Sequence, residues 1–257
     1  MLKRLLFLNA IALSTLCILS LSPVPTALRT LAQTLPSQTP EVMPPLDPDD
    51  KPPTLPAGPR DECLTGENSP SLIPLLPDLN QKIGLTVSPH PSIFVYIPQT
   101  RAETALFVLI DEQRDRIYSQ PVALAGTPGI LNITVPEDAN IPPLEPNQTY
   151  SWTLALLCPT IAGFREPNIY VTGRIQRVEN PELAQQVSQA IPQQVPSLSA
   201  QAGIWHDTLH TLAQLRRENP QDTTLIAYWE SLLTDVGLAD IAQAPLLPLL
   251  QVYVFIT

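Results

Sequence analysis

The stretch Leu144-Glu-Pro146-Asn-Gln-Thr-Tyr150-Ser-Trp152 limits what this chain can fold into more than any other. A Leu and a Pro stand shortly before a Tyr, and an alternating apolar strand follows. Tyr150, Trp152, Leu154, Leu156 and Cys158 share one face of that strand. A chain that crosses between packed sheets frees backbone groups at the crossing. A Tyr hydroxyl can cap one of them while its ring stays in the core. The pattern predicts a structural corner made by Leu144, Pro146, Tyr150 and Trp152, at the entry to a two-sheet core.

The flanking sequence repeats the strand signal. Ile93-Phe-Val-Tyr-Ile97 is β-branched and aromatic, bounded by Pro91 and Pro98, and residues 104–110 form a continuous apolar run suited to a central strand. Asp111-Glu112-Gln-Arg-Asp115 reads as a hairpin connection, with Arg116-Ile-Tyr118 starting the return strand. Leu131, Ile133 and Val135 alternate with Asn132 and Thr134, and Ile169, Val171, Gly173 and Ile175 supply one face of a last strand. With 72–76 and 85–87, about seven or eight strands fall within residues 63–179, which predicts a mainly β fold built as a two-sheet antiparallel sandwich. The corner resembles the tyrosine corner of immunoglobulin-like and fibronectin-III-like sandwiches. Neither cysteine stands where an immunoglobulin domain carries its bridge, so the fibronectin-III-like comparison fits better.

From Pro181 the apolar spacing becomes helical. Leu183, Val187 and Ile191 predict one helix ending near Pro192. Trp205, Leu209, Leu212 and Leu215 predict a second over 198–218, and a third runs over 223–236 to Gly237. The sandwich is thus followed by a small α-helical region over 180–240. Gly203-Ile-Trp205-His-Asp207-Thr-Leu209, with Leu212 and the exit turn Asn219-Pro220-Gln-Asp222, resembles the second helix and exit of a tetratricopeptide repeat. Thr208 stands where that repeat has Ala. One repeat makes no solenoid groove, so this region is expected to pack on the sandwich or dock a partner. The apolar tail 241–257 is too short to span a bilayer; an added edge strand and a poorly ordered end both fit it.

Lys3 and Arg4 followed by an uncharged apolar run to Leu21 predict a secretory signal peptide over 1–32, cleaved after Ala32. An uncleaved N-terminal anchor is the alternative, and membrane attachment is expected only through that segment. Residues 33–62 carry nine prolines and few apolar side chains, which predicts a disordered spacer. Export would leave Cys63 and Cys158, and two thiols in an oxidising compartment most simply form one disulfide. Loss of Lys3, Arg4 and Arg29 takes the formal charge from -10 to -13. So acidic a chain repels phosphate backbones, and no nucleic-acid partner is expected.

Several segments together resemble the cyanobacterial family known as domain of unknown function 928. They are Gly84-Leu-Thr-Val-Ser-Pro-His-Pro-Ser-Ile-Phe94, Tyr96-Ile-Pro98, Gly126-Thr-Pro-Gly-Ile130, the corner, Gly173-Arg-Ile-Gln-Arg177-Val, Ala202-Gly-Ile-Trp205-His-Asp207 and Leu215-Arg-Arg217-Glu-Asn-Pro220. The resemblance covers roughly 60–240. It implies export and the two-part architecture, and no activity, cofactor or catalytic residue.

Few residues suggest chemistry. His206-Asp207-Thr-Leu-His210 sets two His at i and i+4 on one helix face, and Glu230 is a candidate third metal ligand, as in zinc peptidases. Asp207 stands where such an enzyme needs a longer Glu as its base. The repeat-like helix explains the same residues by placing His206 and His210 on its polar side. No Gly-x-Ser-x-Gly elbow and no phosphate-cradling Gly loop occurs. His90, between two prolines, reads as an exposed turn, and Asp111, Glu112 and Asp115 as solvated hairpin acids. Arg174, Gln176 and Arg177 are candidate partner contacts. No catalytic residue and no cofactor is expected. The leading expectation is an exported, non-catalytic module that binds a protein or an envelope polymer. A metal-dependent hydrolase using His206 and His210, and a structural envelope component, are the alternatives.

Overall fold

The computed structural model describes residues 63–65, 71–78, 80–137, 141–160, 163–164 and 169–248. The expected signal peptide, the spacer and the end of the apolar tail lie outside them. Strands run over Ile73–Pro74 (β1), Ile83–Thr86 (β2), Ser92–Ile97 (β3), Thr104–Ile110 (β4), Arg116–Ala123 (β5), Gly129–Thr134 (β6), Thr149–Leu157 (β7), Pro159–Thr160 (β8), Gly163–Phe164 (β9) and Tyr170–Arg177 (β10). Helices follow at Pro181–Gln189 (α1), Val195–Gln201 (α2), Trp205–Glu218 (α3) and Thr223–Asp235 (α4).

Two sheets carry the fold, in the orders β1-β3-β6 and β2-β10-β7-β4-β5, with β8 and β9 as a small hairpin. Their inward side chains meet in one core, Ile93, Val95, Leu131 and Ile133 from the first sheet and Phe107, Leu109, Trp152, Leu154 and Ile175 from the second. The fold is therefore mainly β, a two-sheet sandwich followed by helices, as expected. One pairing departs from the antiparallel expectation: β2 lies parallel to β10, with Ile83 opposite Arg174. No hairpin joins these strands, so no turn fixes their relative direction. Gly173 lies opposite Trp152, and a Cβ there would stand 2.4 Å from the indole, so the ring takes the space that only glycine leaves.

The corner closes through its tyrosine. Tyr150 is buried, and its hydroxyl accepts the Glu145 N–H at 2.8 Å. Asn147 turns the chain with a φ of 62°, a left-handed conformation that Asn tolerates. Cys63 and Cys158 form a disulfide across a sequence separation of 95. It ties the entry segment to the end of β7, and Thr100 Oγ1 fixes the same segment by donating to the Cys63 carbonyl at 2.8 Å.

β3 is buried on both faces, which explains why its sequence does not alternate. On the side away from the inter-sheet core, Phe94 and Ile130 pack with Leu75 against Trp205, Leu209, Leu212, Trp229 and Leu233. The helices thus form a third layer over the smaller sheet. Asn180 caps α1 by accepting Leu183 N–H at 2.9 Å, and Asp222 caps α4. The single helix expected over 198–218 is two, because Gly203 takes a φ of 73° between α2 and α3. Leu246 then pairs in parallel with Ile130 at the outer edge of β6. No helix among the described residues is long and apolar enough to cross a membrane.

Candidate functional site

The polar residues singled out on α3 meet at the seam between that helix and the sandwich. β1 is only two residues long, so it covers only part of the β3 edge. The Phe94 carbonyl takes the Leu75 N–H at 3.0 Å. Two residues earlier the Ser92 carbonyl has no strand of the described residues beside it, and His206 donates its Nδ1–H there at 3.1 Å. The carbonyl only accepts, which fixes the tautomer. Nε2 is left as a buried acceptor without a partner. It points at Gly84 of β2, where a Cβ would stand 2.5 Å away. Burial lowers the His206 pKa to about 4, against the opposing effect of the Ser92 bond, so the ring is neutral at pH 7.

Asp207 serves the other sheet. Its Oδ2 accepts the Thr86 hydroxyl at 2.7 Å and the Val87 N–H at 3.2 Å, capping the end of β2. The Thr86 hydroxyl in turn accepts from Ser88 N–H. Burial pushes the Asp207 carboxyl above its usual range, partly offset by those two bonds. Adjacent residues of one helix thus hold one sheet each.

His210, one turn on, has Nδ1 2.8 Å from the Ser92 hydroxyl, which lies 2.8 Å from the Thr134 hydroxyl. Burial lowers the His210 pKa, and Arg217 adds to the effect. A Ser hydroxyl beside a His nitrogen is half of a nucleophile–base pair. Here Ser92 is 4% exposed and its hydroxyl is shared with Thr134, so the pair sits closed beneath α3.

The expectation that His206 and His210 occupy the polar side of the helix is corrected. His206 is fully buried, and both rings face the sandwich. Trp205, Leu209 and Leu212 belong to the helical core, so α3 is covered on two sides rather than one. Thr208 is buried as an Ala would be, because its hydroxyl is satisfied within the helix by the Ile204 carbonyl at 2.8 Å. Glu230 lies on α4 and acts on the Arg216 guanidinium. Among the described residues no three His, Cys, Asp or Glu side chains are grouped to hold a metal.

Other expectations change as well. Arg177 is half-buried and donates to the carbonyls of Val87 and Leu144, which braces the corner. Arg174 is exposed and donates to the Gln81 carbonyl. His90 is half-buried, with Nδ1 enclosed and unpartnered, not an open turn. The hairpin acids are as expected, with Glu112 and Asp115 exposed; Asp111 accepts Asp115 N–H, and Glu112 accepts Thr149 N–H. Sequence reasoning missed Gly84, Thr86, Ser92 and Thr134. The signal at Gly84, Thr86 and Ser92 was small or hydroxyl residues at buried strand positions, which call for partners from another element.

Fold and seam define a disulfide-tied β-sandwich with one helix clasping both sheets. A family model described as Domain of Unknown Function (DUF928) matches residues 56–246, and the chain belongs to that family. No curated protein matches it.

Proposed function

We propose that this chain is an exported, non-catalytic module that binds a protein or an envelope polymer. The observation that carries the reading is the use made of the α3 side chains. His206, Asp207 and His210, the residues with most chemistry to offer, each bond an inward-facing group of the sandwich. They serve as structural bonds of a rigid scaffold, as a presenting module requires. The Cys63–Cys158 bridge supports export, because such bonds persist in oxidising compartments. The apolar run behind Lys3 and Arg4 supports the same route, followed by a Pro-rich spacer. Within this reading the sandwich is of the fibronectin-III type, α3 and α4 are a single repeat-like pair, and the source is cyanobacterial.

The test is affinity capture from an envelope fraction with the full tagged chain after cross-linking. One dominant stoichiometric partner is expected. Recovery equal to that of an unrelated exported sandwich contradicts the reading. Removal of the helices is the wrong control, since it bares Phe94 and Ile130.

A further inference from the structure

Among the described residues the larger sheet has a core on one side only. Phe107 and Leu109 of β4 and Trp152 and Leu154 of β7 point into the inter-sheet core. The residues between them point the other way. The helices pack on β2 and β3 instead, and the side chains that β4 and β7 turn outward belong to neither core. An open face of an antiparallel sheet ordinarily carries polar and charged side chains. β4, an inner strand, turns Leu106, Val108 and Ile110 outward. Its unbroken apolar run is that of a strand covered on both faces.

Charge is missing from this face as well. None of the five strands contains Asp or Glu, in a chain that has 24 acids, and β4 and β7 carry no charged residue at all. The outward side chains also have relief. Leu106 stands beside Ala155, Val108 beside Thr153 and Ile110 beside Ser151. β4 is therefore a ridge, and β7 next to it is a furrow of small side chains.

We propose that this face joins two copies of the chain, the β4 ridge of each set in the β7 furrow of the other. Ridge and furrow lie side by side, so a half-turn about an axis between them brings each onto its counterpart. That is the self-complementarity a two-fold contact requires. Charge selects the same occupant. A chain of formal charge -10 repels its own copy wherever carboxylates oppose one another, and the strands of this face offer none. The size fits too. Five strands about 4.8 Å apart, rising about 3.3 Å per residue over the seven residues of β4, make a face of about 24 by 23 Å. Two such faces bury about 1,100 Å², above the roughly 1,000 Å² that a specific interface needs.

Sedimentation velocity on the full chain, across micromolar concentrations, tests this. The variants are Val108→Lys and Ala155→Leu, with Gln214→Lys on the exposed side of α3 as the control. The unmodified chain and the control should form dimers and nothing larger. Val108→Lys puts an unpaired charge in the contact, so the dimer Kd should rise by about a hundredfold or more. Ala155→Leu fills the furrow with an apolar side chain that a strand accepts, and should also separate the copies. It decides the question if the lysine variant does not fold. An unmodified chain that is monomeric at every concentration overturns the proposal, and so does open-ended assembly. A dimer that persists in Ala155→Leu, or in Val108→Lys with an unchanged near-UV circular dichroism spectrum, overturns it as well.

Discussion

Asp207 accepts the Thr86 hydroxyl at 2.7 Å across 121 positions of sequence, and the same carboxylate caps the Val87 amide. His206, its neighbour on α3, bonds the Ser92 carbonyl of the opposite sheet. A single helical turn therefore holds together the two halves of the sandwich. Asp207→Ala removes the acceptor from both donors and leaves them buried, which should cost about 2–3 kcal/mol. Asp207→Asn keeps an acceptor oxygen and should cost less. Chemical denaturation of both variants checks the order; an Ala variant as stable as the parent contradicts it.

Gly84→Ala places a methyl 2.5 Å from His206 Nε2. Overpacking of that kind costs about 1–3 kcal/mol. Removal of the ring in His206→Ala should relieve the clash, so the double variant should be more stable than the sum of the single losses predicts. Strict additivity would show that the two residues do not touch.

Stability should fall on mild acidification. His206 has its pKa lowered from 6.5 to about 4, so the unfolded chain binds the proton more readily between those values. The folded state loses ground as pH drops below 6.5 and the loss levels off near 4, reaching about 3 kcal/mol from this group. His210, lowered by burial and by Arg217, works in the same direction. The raised Asp207 carboxyl works against both, because it takes up a proton earlier in the folded state. Urea denaturation between pH 7.5 and pH 4.5 should show the decline, reduced in His206→Gln. A profile that is flat in the parent and variant alike contradicts it.

Tyr150→Phe deletes the hydroxyl that takes the Glu145 amide at 2.8 Å and leaves that N–H at a half-closed corner. A loss of about 1–2 kcal/mol is expected. Replacement of Cys63 and Cys158 by Ser should cost about 2–5 kcal/mol, since the bridge spans a separation of 95 residues. Intact mass of the purified chain should rise by two hydrogens on reduction. Two alkylatable thiols before reduction would contradict the bridge.

Much of the sandwich was legible because its signals are local. The apolar run at β4 and the Leu, Pro and Tyr of the corner each encode a strand or a turn within a few residues. The direction of β2 was not legible, because a parallel partner separated by most of the domain leaves no turn to read. The break at Gly203 was overrun by apolar spacing that continues through it. The seam was the least legible part. Periodicity identifies the apolar face of α3 from Trp205, Leu209 and Leu212, but a His carries no hydropathic sign of burial. Whether the next face meets water or a strand edge depends on β1 being too short to cover Ser92, which only the assembled sheet reveals.

Side-chain bonds clasp α3 to the sandwich, and a double-mutant cycle on Thr86→Val and Asp207→Ala measures that clasp. Free energies of unfolding at pH 7 should give a coupling of about 1 kcal/mol or more, as bonded buried pairs do. Additivity within about 0.3 kcal/mol would mean that the two side chains do not act on each other, and the clasp would fail as an account of this fold.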